Sequence, residues 1–429
     1  MRQPLLLRNS TLAAALVGGA LWSLVAFAAT PAGAQEAPAR FLIERIVVEG
    51  LEREAARQIV LAESLLEPGR SYTEADLRGA VHRVNRLPFV VDADMALRRG
   101  SERGSYELVI TVEAARPFFY GVDLVGGYAG GRTELRLGPE TGRGATVGMR
   151  KFVGSRGVLF GNAQAASWSS FDGRAYLQLG YTRHGVFAGS GFATVAVTSS
   201  FAEQSDYGEL QASLEAGLPI GGDHALRGGL SYTRVEDTVG FFPVGITETR
   251  EDSWEARLAW IRDSTDDPLA PTQGSRFTLA GEYDDRRRDP ERGEPALDPS
   301  LFATLDSNQL LLRLEGRAYR PLTARQTLGV IGYAWYTSET VRQVSLDDVE
   351  DLVGAELLHA TSLRGDPGER GDLRLEAGLG LQRIHQDQQR FDGQDEFLNA
   401  LVRASLVFRH EWGLVRVSLM YVEDVGGND

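Results

Sequence analysis

Side chains able to do covalent chemistry are sparse in this sequence and scattered along it. Six histidines stand at 82, 184, 224, 359, 385 and 410, none at metal-ligand spacing. Cysteine is absent, which removes thiol nucleophiles and thiolate metal sites. No Gly-x-Ser-x-Gly occurs, so there is no nucleophile elbow. Gly142-Arg143-Gly144 enters a strand pattern rather than a helix and is no dinucleotide loop. The acidic run from Asp387 to Glu396 could hold a divalent ion, but it reads as a solvated connection. A lipase or protease would need a paired nucleophile and base, and none is offered. The expectation is no catalytic residue, no cofactor and no metal site.

What remains is charge placed at turns. The first such stretch runs from Trp260 to Phe277 and contains Arg262-Asp263 and Pro271-Thr272-Gln273-Gly274. Asp263 can accept hydrogen bonds from turn amides, Pro271 fixes its own φ, and Gly274 suits a backbone conformation that other residues resist. The second is Thr361-Ser362-Leu363-Arg364-Gly365-Asp366.

The elements around these turns are strands. Leu373, Leu375, Ala377, Leu379 and Leu381 alternate with Arg374, Glu376, Gly378, Gly380 and Gln382. Successive side chains of a strand point to opposite faces, so this one is apolar on one side and charged on the other. Leu310, Leu312 and Leu314 alternate in the same way with Gln309, Arg313, Glu315 and Arg317. So do Trp254, Ala256, Leu258 and Trp260 with Glu255 and Arg257, and Val415, Val417, Leu419 and Tyr421 with Arg416 and Ser418. A soluble sandwich shows the same alternation. The number of segments, their length of roughly ten residues and an export signal point instead to a membrane β-barrel with a polar lumen.

The export signal is read over residues 1–34. Arg2 and Arg8 flank a short n-region, Leu12 to Ala29 is apolar, and Ala32-Gly33-Ala34 suits cleavage before Gln35. An anchoring helix is the alternative, and Thr30-Pro31 argues against it. No later stretch of about 20 apolar residues could span a membrane as a helix. The lack of cysteine suits an exported bacterial protein. A net charge of −14 makes nucleic acid an unsuitable partner. A mean hydropathy of −0.20 is compatible with a barrel, because half of every strand faces a polar interior.

Residues 40–117 form a separate unit. Phe41 to Gly50 reads as a strand, Glu54 to Leu65 as a helix broken by Pro68-Gly69, and Thr73 with Asp76 as the capping box of a second helix. Phe89 to Arg98 and Tyr106 to Glu113 read as two strands, giving the order β-α-α-β-β. From Phe118 to residue 429, 14 strands are counted. Connections that alternate between short turns and long polar loops at 237–251, 285–306 and 339–370 fit a barrel whose first strand rises from the periplasm. Two connections fit badly: 385–396 is too long and His410 to Gly413 too short.

The 40–117 unit resembles a POTRA domain, in its strand and helix order, its Gly50 and its Leu87-Pro88-Phe89 step. The Trp260–Phe277 stretch resembles the signature of the BamA/TamA surface-antigen superfamily, with Arg262, Asp263, Pro271, Thr272 and Gly274 matching. Leu363-Arg364-Gly365 resembles the motif at the tip of that family's inward-folded sixth external loop, although Asp366 stands where an aromatic is usual. The resemblance implies a transmembrane antiparallel barrel of 14–16 strands preceded by one POTRA domain. It also implies that Arg364 enters the lumen and pairs with an inward acid, for which the alternation offers Glu376. Family barrels usually have 16 strands and end on an aromatic. Here either the barrel has 14 strands or the last hairpin is missing.

The implied function is outer-membrane protein insertion, assembly or translocation. The POTRA domain, in the periplasm, would bind unfolded outer-membrane or secreted clients, with periplasmic accessory proteins as further partners. The barrel, in contact with outer-membrane lipid, would template insertion. A dedicated secretion pore or a passive porin-like channel is the alternative, and nothing in the sequence separates general assembly from dedicated export.

Overall fold

The computed structural model describes residues 39–424 except 130–142, 168–172, 188–189, 203–207, 222, 242–244, 267–270, 294–304, 342–345, 366–370, 389–392 and 411–412. The expected export signal lies outside the described residues.

The N-terminal module comprises β1 (Arg40–Glu49), α1 (Glu54–Ser64), β2 (Arg70–Thr73), α2 (Glu74–Asn85), β3 (Val90–Arg99) and β4 (Ser105–Ala114). Its sheet runs β2-β1-β4-β3, with β1 parallel to β4. α2 starts where the capping box places it: the Thr73 hydroxyl accepts from the Asp76 amide, and the Asp76 carboxylate accepts from the Thr73 amide at 2.9 Å. Ile59 and Val60 of α1 and Leu77 and Val84 of α2 are buried in one core with Ile43, Leu108 and Ile110 of the sheet. The short β2 is absent from the sequence reading, because Pro68-Gly69 marks a break and four residues carry no period. It pairs only with Arg40–Ile43.

Among the described residues fifteen strands follow. They are β5 (Phe118–Ala129), β6 (Arg143–Val153), β7 (Gly157–Ser167), β8 (Gly173–Phe187), β9 (Ser190–Ala202), β10 (Gly208–Gly221), β11 (His224–Phe241) and β12 (Gly245–Asp263). The rest are β13 (Gly274–Gly293), β14 (Leu305–Thr323), β15 (Gln326–Val341), β16 (Leu346–Arg364), β17 (Leu373–Gln388), β18 (Gly393–His410) and β19 (Gly413–Asp424). Each pairs antiparallel with its sequence neighbour, and β19 closes the barrel on β5. An odd number of alternating strands leaves first and last pointing the same way, so this closing pair is parallel.

The count corrects the sequence reading of 14 strands and lies within the 14–16 expected for the fold. The missed strand is β16, inside the segment read as the long loop 339–370. Its inward positions include Leu352, Leu358 and Ala360, all buried, while Leu357 faces outward. With apolar residues on both faces the period-2 signal vanishes. The two ill-fitting connections follow from the same omission. With β16 counted, β17 runs away from the module and β18 runs back toward it, so the β17–β18 connection belongs to the far end and the β18–β19 connection to the module end. The long polar loops shrink likewise, because β11 to β14 extend well into them.

Lipid sets the outer face. Along β12 it reads Asp252, Trp254, Ala256, Leu258, Trp260, Arg262, with Trp254 and Leu258 more than 60% exposed. At roughly 3.3 Å per residue and a tilt of about 40°, the ten steps from Asp252 to Arg262 span about 25 Å of height, the thickness of an outer-membrane apolar band. Tyr232 packs on Trp254 at one margin and His224 stacks on Trp260 at the other. Leu375, Leu379 and Leu381 of β17 belong to the same belt, whereas Arg374 and Glu376 are buried on the inner side. Inside, the rings of Tyr319 and Tyr333 lie over Gly329 and Gly354 of the next strand, where a Cβ would collide with the Tyr333 ring.

Cysteines introduced at Leu379 or Leu381 are therefore expected to react with a lipid-soluble maleimide and resist a membrane-impermeant one. A cysteine at Arg313, on the lumen side of β14, should do the opposite. The reverse pattern in intact outer membranes would refute this facing.

Candidate functional site

Three features lie at or near the module end of the barrel: the turn between β12 and β13, the inner side of β17, and the seat of the module. The turn is built by its own carboxylates. Asp263 Oδ1 accepts from the Thr265 amide at 3.1 Å and from the Thr265 hydroxyl at 2.6 Å. Asp266 accepts from the amides of Thr272 and Gln273, at 2.9 and 3.1 Å, and from the Thr272 hydroxyl. Ser264 and Ser275 close the neck, with the Ser264 amide donating to the Ser275 carbonyl at 2.8 Å. Gly274 has φ +95°, and a Cβ there would run into the Ser264 carbonyl, so only glycine fits. Arg262 is exposed on the outer face. The sequence thus brings Asp263, Thr272 and Gly274 into one turn.

Pro271 reaches further. Its carbonyl accepts from Arg374 Nη2 at 3.2 Å, so the turn lies across the mouth against β17. Arg374 also pairs with Glu376 at 3.3 Å, and both side chains are nearly excluded from solvent. Here the expected lumen pair is corrected. Glu376 faces inward, but its ion pair among the described residues is with Arg374, two positions before it on the same strand. Arg364 is exposed. A register shift between Ser362 and Arg364 sets Arg364 opposite Leu373, a position on the outward parity of β17. Directly opposed residues share a face, so this bulge turns Arg364 out of the lumen. Leu363 is exposed beside it, and Gly365 follows with φ +81°. Arg374 is legible in the sequence as a member of the charged face of its strand.

The module seats against the same mouth. Arg86, just past the C-terminus of α2, donates to the Asp263 carbonyl at 2.6 Å and pairs with its Oδ1 at 3.0 Å. Phe89 meets Phe152 of β6 edge-on at 5.0 Å, and Val158 of β7 is buried in the module's own core. Between module and barrel lies a cavity of about 670 Å³ lined by Glu63, Arg83, His184, Asp223 and Arg227 among others. A second cavity, of about 450 Å³, sits on the lumen wall of β10 to β14. The two share Glu215, Arg227, Ile261 and Arg276, so they adjoin. Burial pushes the Glu63 carboxyl above its usual range, against the pull of Arg83, Arg227 and Arg86. Burial also holds His82 of α2 below the usual imidazole value.

On the far wall of the lumen, Asn162, Gln178 and Thr198 of β7 to β9 form one hydrogen-bonded row, and Thr182 meets Thr194. The wall from β12 to β18 is charged. Glu315 takes both Arg313 and Arg317, and Glu356 takes Arg403 at 2.9 Å.

The barrel is unequally zipped. β11 and β12 pair over 18 residues, whereas β19 and β5 pair over eight and β5 and β6 over seven among the described residues. Gly126-Gly127 falls inside the closing pair.

No protein-family model matches this sequence, and no curated protein does. Among solved structures the chain is similar to BamA from Haemophilus ducreyi lacking POTRA domains 1-3, at 12% identity, over 92% of this chain and 82% of that one, with a TM-score of 0.49. It is similar to CdiB from Acinetobacter baumannii at 10% identity, over 89% and 74%, with a TM-score of 0.38. It is also similar to the alcaligin outer membrane receptor FauA from Bordetella pertussis at 10% identity, over 77% and 65%, with a TM-score of 0.35. The barrel itself is established by its own strand pairing, not by these likenesses.

Two outcomes follow from the geometry. Arg374→Gln leaves Glu376 buried without its cation and should cost about 3–5 kcal/mol, lowering the temperature at which the folded gel band disappears. Arg364→Ala, at an exposed position, should stay within about 0.5 kcal/mol.

The pH response of docking follows from Glu63. A carboxyl raised by burial is penalised when charged, so its docked state is favoured at low pH. That advantage is lost as pH rises from the ordinary value of 4.5 through the raised one. His82 acts in the opposite sense, since charging it costs docking as pH falls. Comparing wild type with Glu63→Gln isolates the first effect. Module–barrel proximity, read by energy transfer in micelles, should match at low pH and be weaker in wild type at neutral pH. Equal profiles would refute the assignment.

Proposed function

We propose that this protein is an outer-membrane insertion, assembly or translocation factor of the BamA/TamA type, with no covalent chemistry of its own. The observation that carries this reading is the closing pair of β5 and β19, parallel, containing Gly126-Gly127 and eight residues long among the described residues, in a barrel where β11 and β12 pair over 18. A joint of that kind is the place where a barrel can part and offer strand edges to a client. The module supports the reading with a second edge. β3 ends its sheet, and an extended client segment can add to it by main-chain hydrogen bonds. In this reading the module is a POTRA domain in the periplasm, the clients are unfolded outer-membrane or secreted proteins, and the belt contacts outer-membrane lipid.

The adjoining mouth and lumen cavities favour a second reading, a pore that exports one dedicated partner. The test of the first reading is a locked seam. Cysteines at the paired positions Val125 and Ser418 should form a disulfide under oxidation. Locking should stop maturation of several outer-membrane proteins, and reductant should restore it. If one secreted protein alone is lost, the export reading holds. Unchanged maturation of every outer-membrane protein and export of every secreted one, with the disulfide formed, would defeat both.

A further inference from the structure

We propose that Asp263 is a joint that ties the seating of the N-terminal module to the shape of the 264–273 turn and, through that turn, to the buried Arg374–Glu376 pair inside the barrel. The chain of contacts is continuous. Asp263 Oδ1 receives Arg86 from the module at 3.0 Å. The same oxygen receives the amide and hydroxyl of Thr265, which fix the first residues of the turn. Asp266, the next residue, clasps the other arm of the turn through the amides of Thr272 and Gln273. Pro271, beside Thr272, presents its carbonyl to Arg374. One oxygen atom therefore serves both module docking and turn geometry.

Asp263 also has an alternative. It is 6% exposed, and its ion pair among the described residues is with Arg86. Arg276 stands opposite it on β13 and lines the same cavity. When the module lifts, a buried carboxylate that loses Arg86 needs another cation or water. Turning toward Arg276 satisfies the charge but carries Oδ1 away from Thr265. The turn then loses its anchor, and the hold of Pro271 on Arg374 loosens with it. Two discrete partners for one carboxylate give the two-state element that coupling between distant sites requires. The joint stands whether the protein assembles barrels or exports a single partner, since it concerns only how the module and the lumen wall sense each other.

The absence of cysteine allows a direct test in the full chain. Spin labels on Glu74→Cys, exposed on α2, and Leu322→Cys, exposed on β14 at the module end, report module position by pulsed electron resonance in nanodiscs. The heat-modifiable gel shift confirms that each barrel is folded. Arg86→Ala and Asp263→Asn should each reduce the docked distance population about twofold or more, the lower end of coupling effects of this kind. Arg374→Gln touches no module residue, yet it should lower the same population. Arg374→Lys, which keeps a charge beside Glu376 but lacks the forked donors, should do so too and serves if the glutamine variant fails to fold. Native module distances in a folded Arg374 variant would overturn the proposal and leave Arg86–Asp263 as a local latch. The exchange Arg86→Asp with Asp263→Arg restores the ion pair but gives Thr265 no acceptor. It should leave the distances broadened, and full restoration would equally overturn the joint.

Discussion

A sheet in lipid has nowhere to leave an edge. Water is not available to the unpaired amides and carbonyls of a first or last strand, and each one left unpaired costs several kcal/mol. The closure of this barrel answers to that constraint. Fifteen strands that alternate in direction cannot close antiparallel, so the chain closes parallel rather than remain open. Parallel pairing is somewhat weaker per residue than antiparallel. The constraint thus places a joint that is weaker per residue where the first and last strands meet.

The lumen obeys a second rule. Charges taken out of bulk water are costly unless paired, and three acids of the inner wall from β12 to β18 pair with arginines of the same or a nearby strand. Glu315 holds Arg313 and Arg317, Glu356 holds Arg403, and Glu376 holds Arg374. Residues two apart on one strand share a face, so Glu315 and Glu376 find partners without help from loops. That local solution explains why Glu376 does not need Arg364. A lumen acid with a guanidinium already fixed two residues away offers little to an arginine at the end of a neighbouring strand.

Much of this was legible in the sequence, and the failures have physical causes. Alternation placed the outer belt of β12, β14 and β17 and the inner charges of Arg313, Glu315 and Glu376, because one face meets lipid and the other does not. Thr73 and Asp76 announced α2 through a contact between near neighbours in the chain. β16 escaped because its inner face carries Leu352, Leu358 and Ala360, packed against neighbours rather than exposed to lumen water. That one omission reversed the parity of everything after it. It also turned a strand end into a loop tip for Arg364, and no local pattern shows a bulge at Leu363. The link between Arg86 and Asp263 joins residues 177 positions apart, and only the closed barrel beneath the seated module brings them together.

The same backbone constraint limits what can act at the seam. Parting β5 from β19 within the membrane exposes the backbone groups that face the joint, those of every second residue among the eight described paired positions on each strand. Left bare, they would cost far more than the roughly 0.5–1.5 kcal/mol that each bond contributes net in water. The opened state is therefore tenable only if something repairs both edges as they separate. A helix satisfies its own backbone and repairs nothing, and lipid tails carry no donors. An extended chain running against β5 and β19 alike would do it, with antiparallel pairing on both sides in place of one parallel joint. The odd strand count that weakens the closure thus also defines the geometry of whatever could replace it.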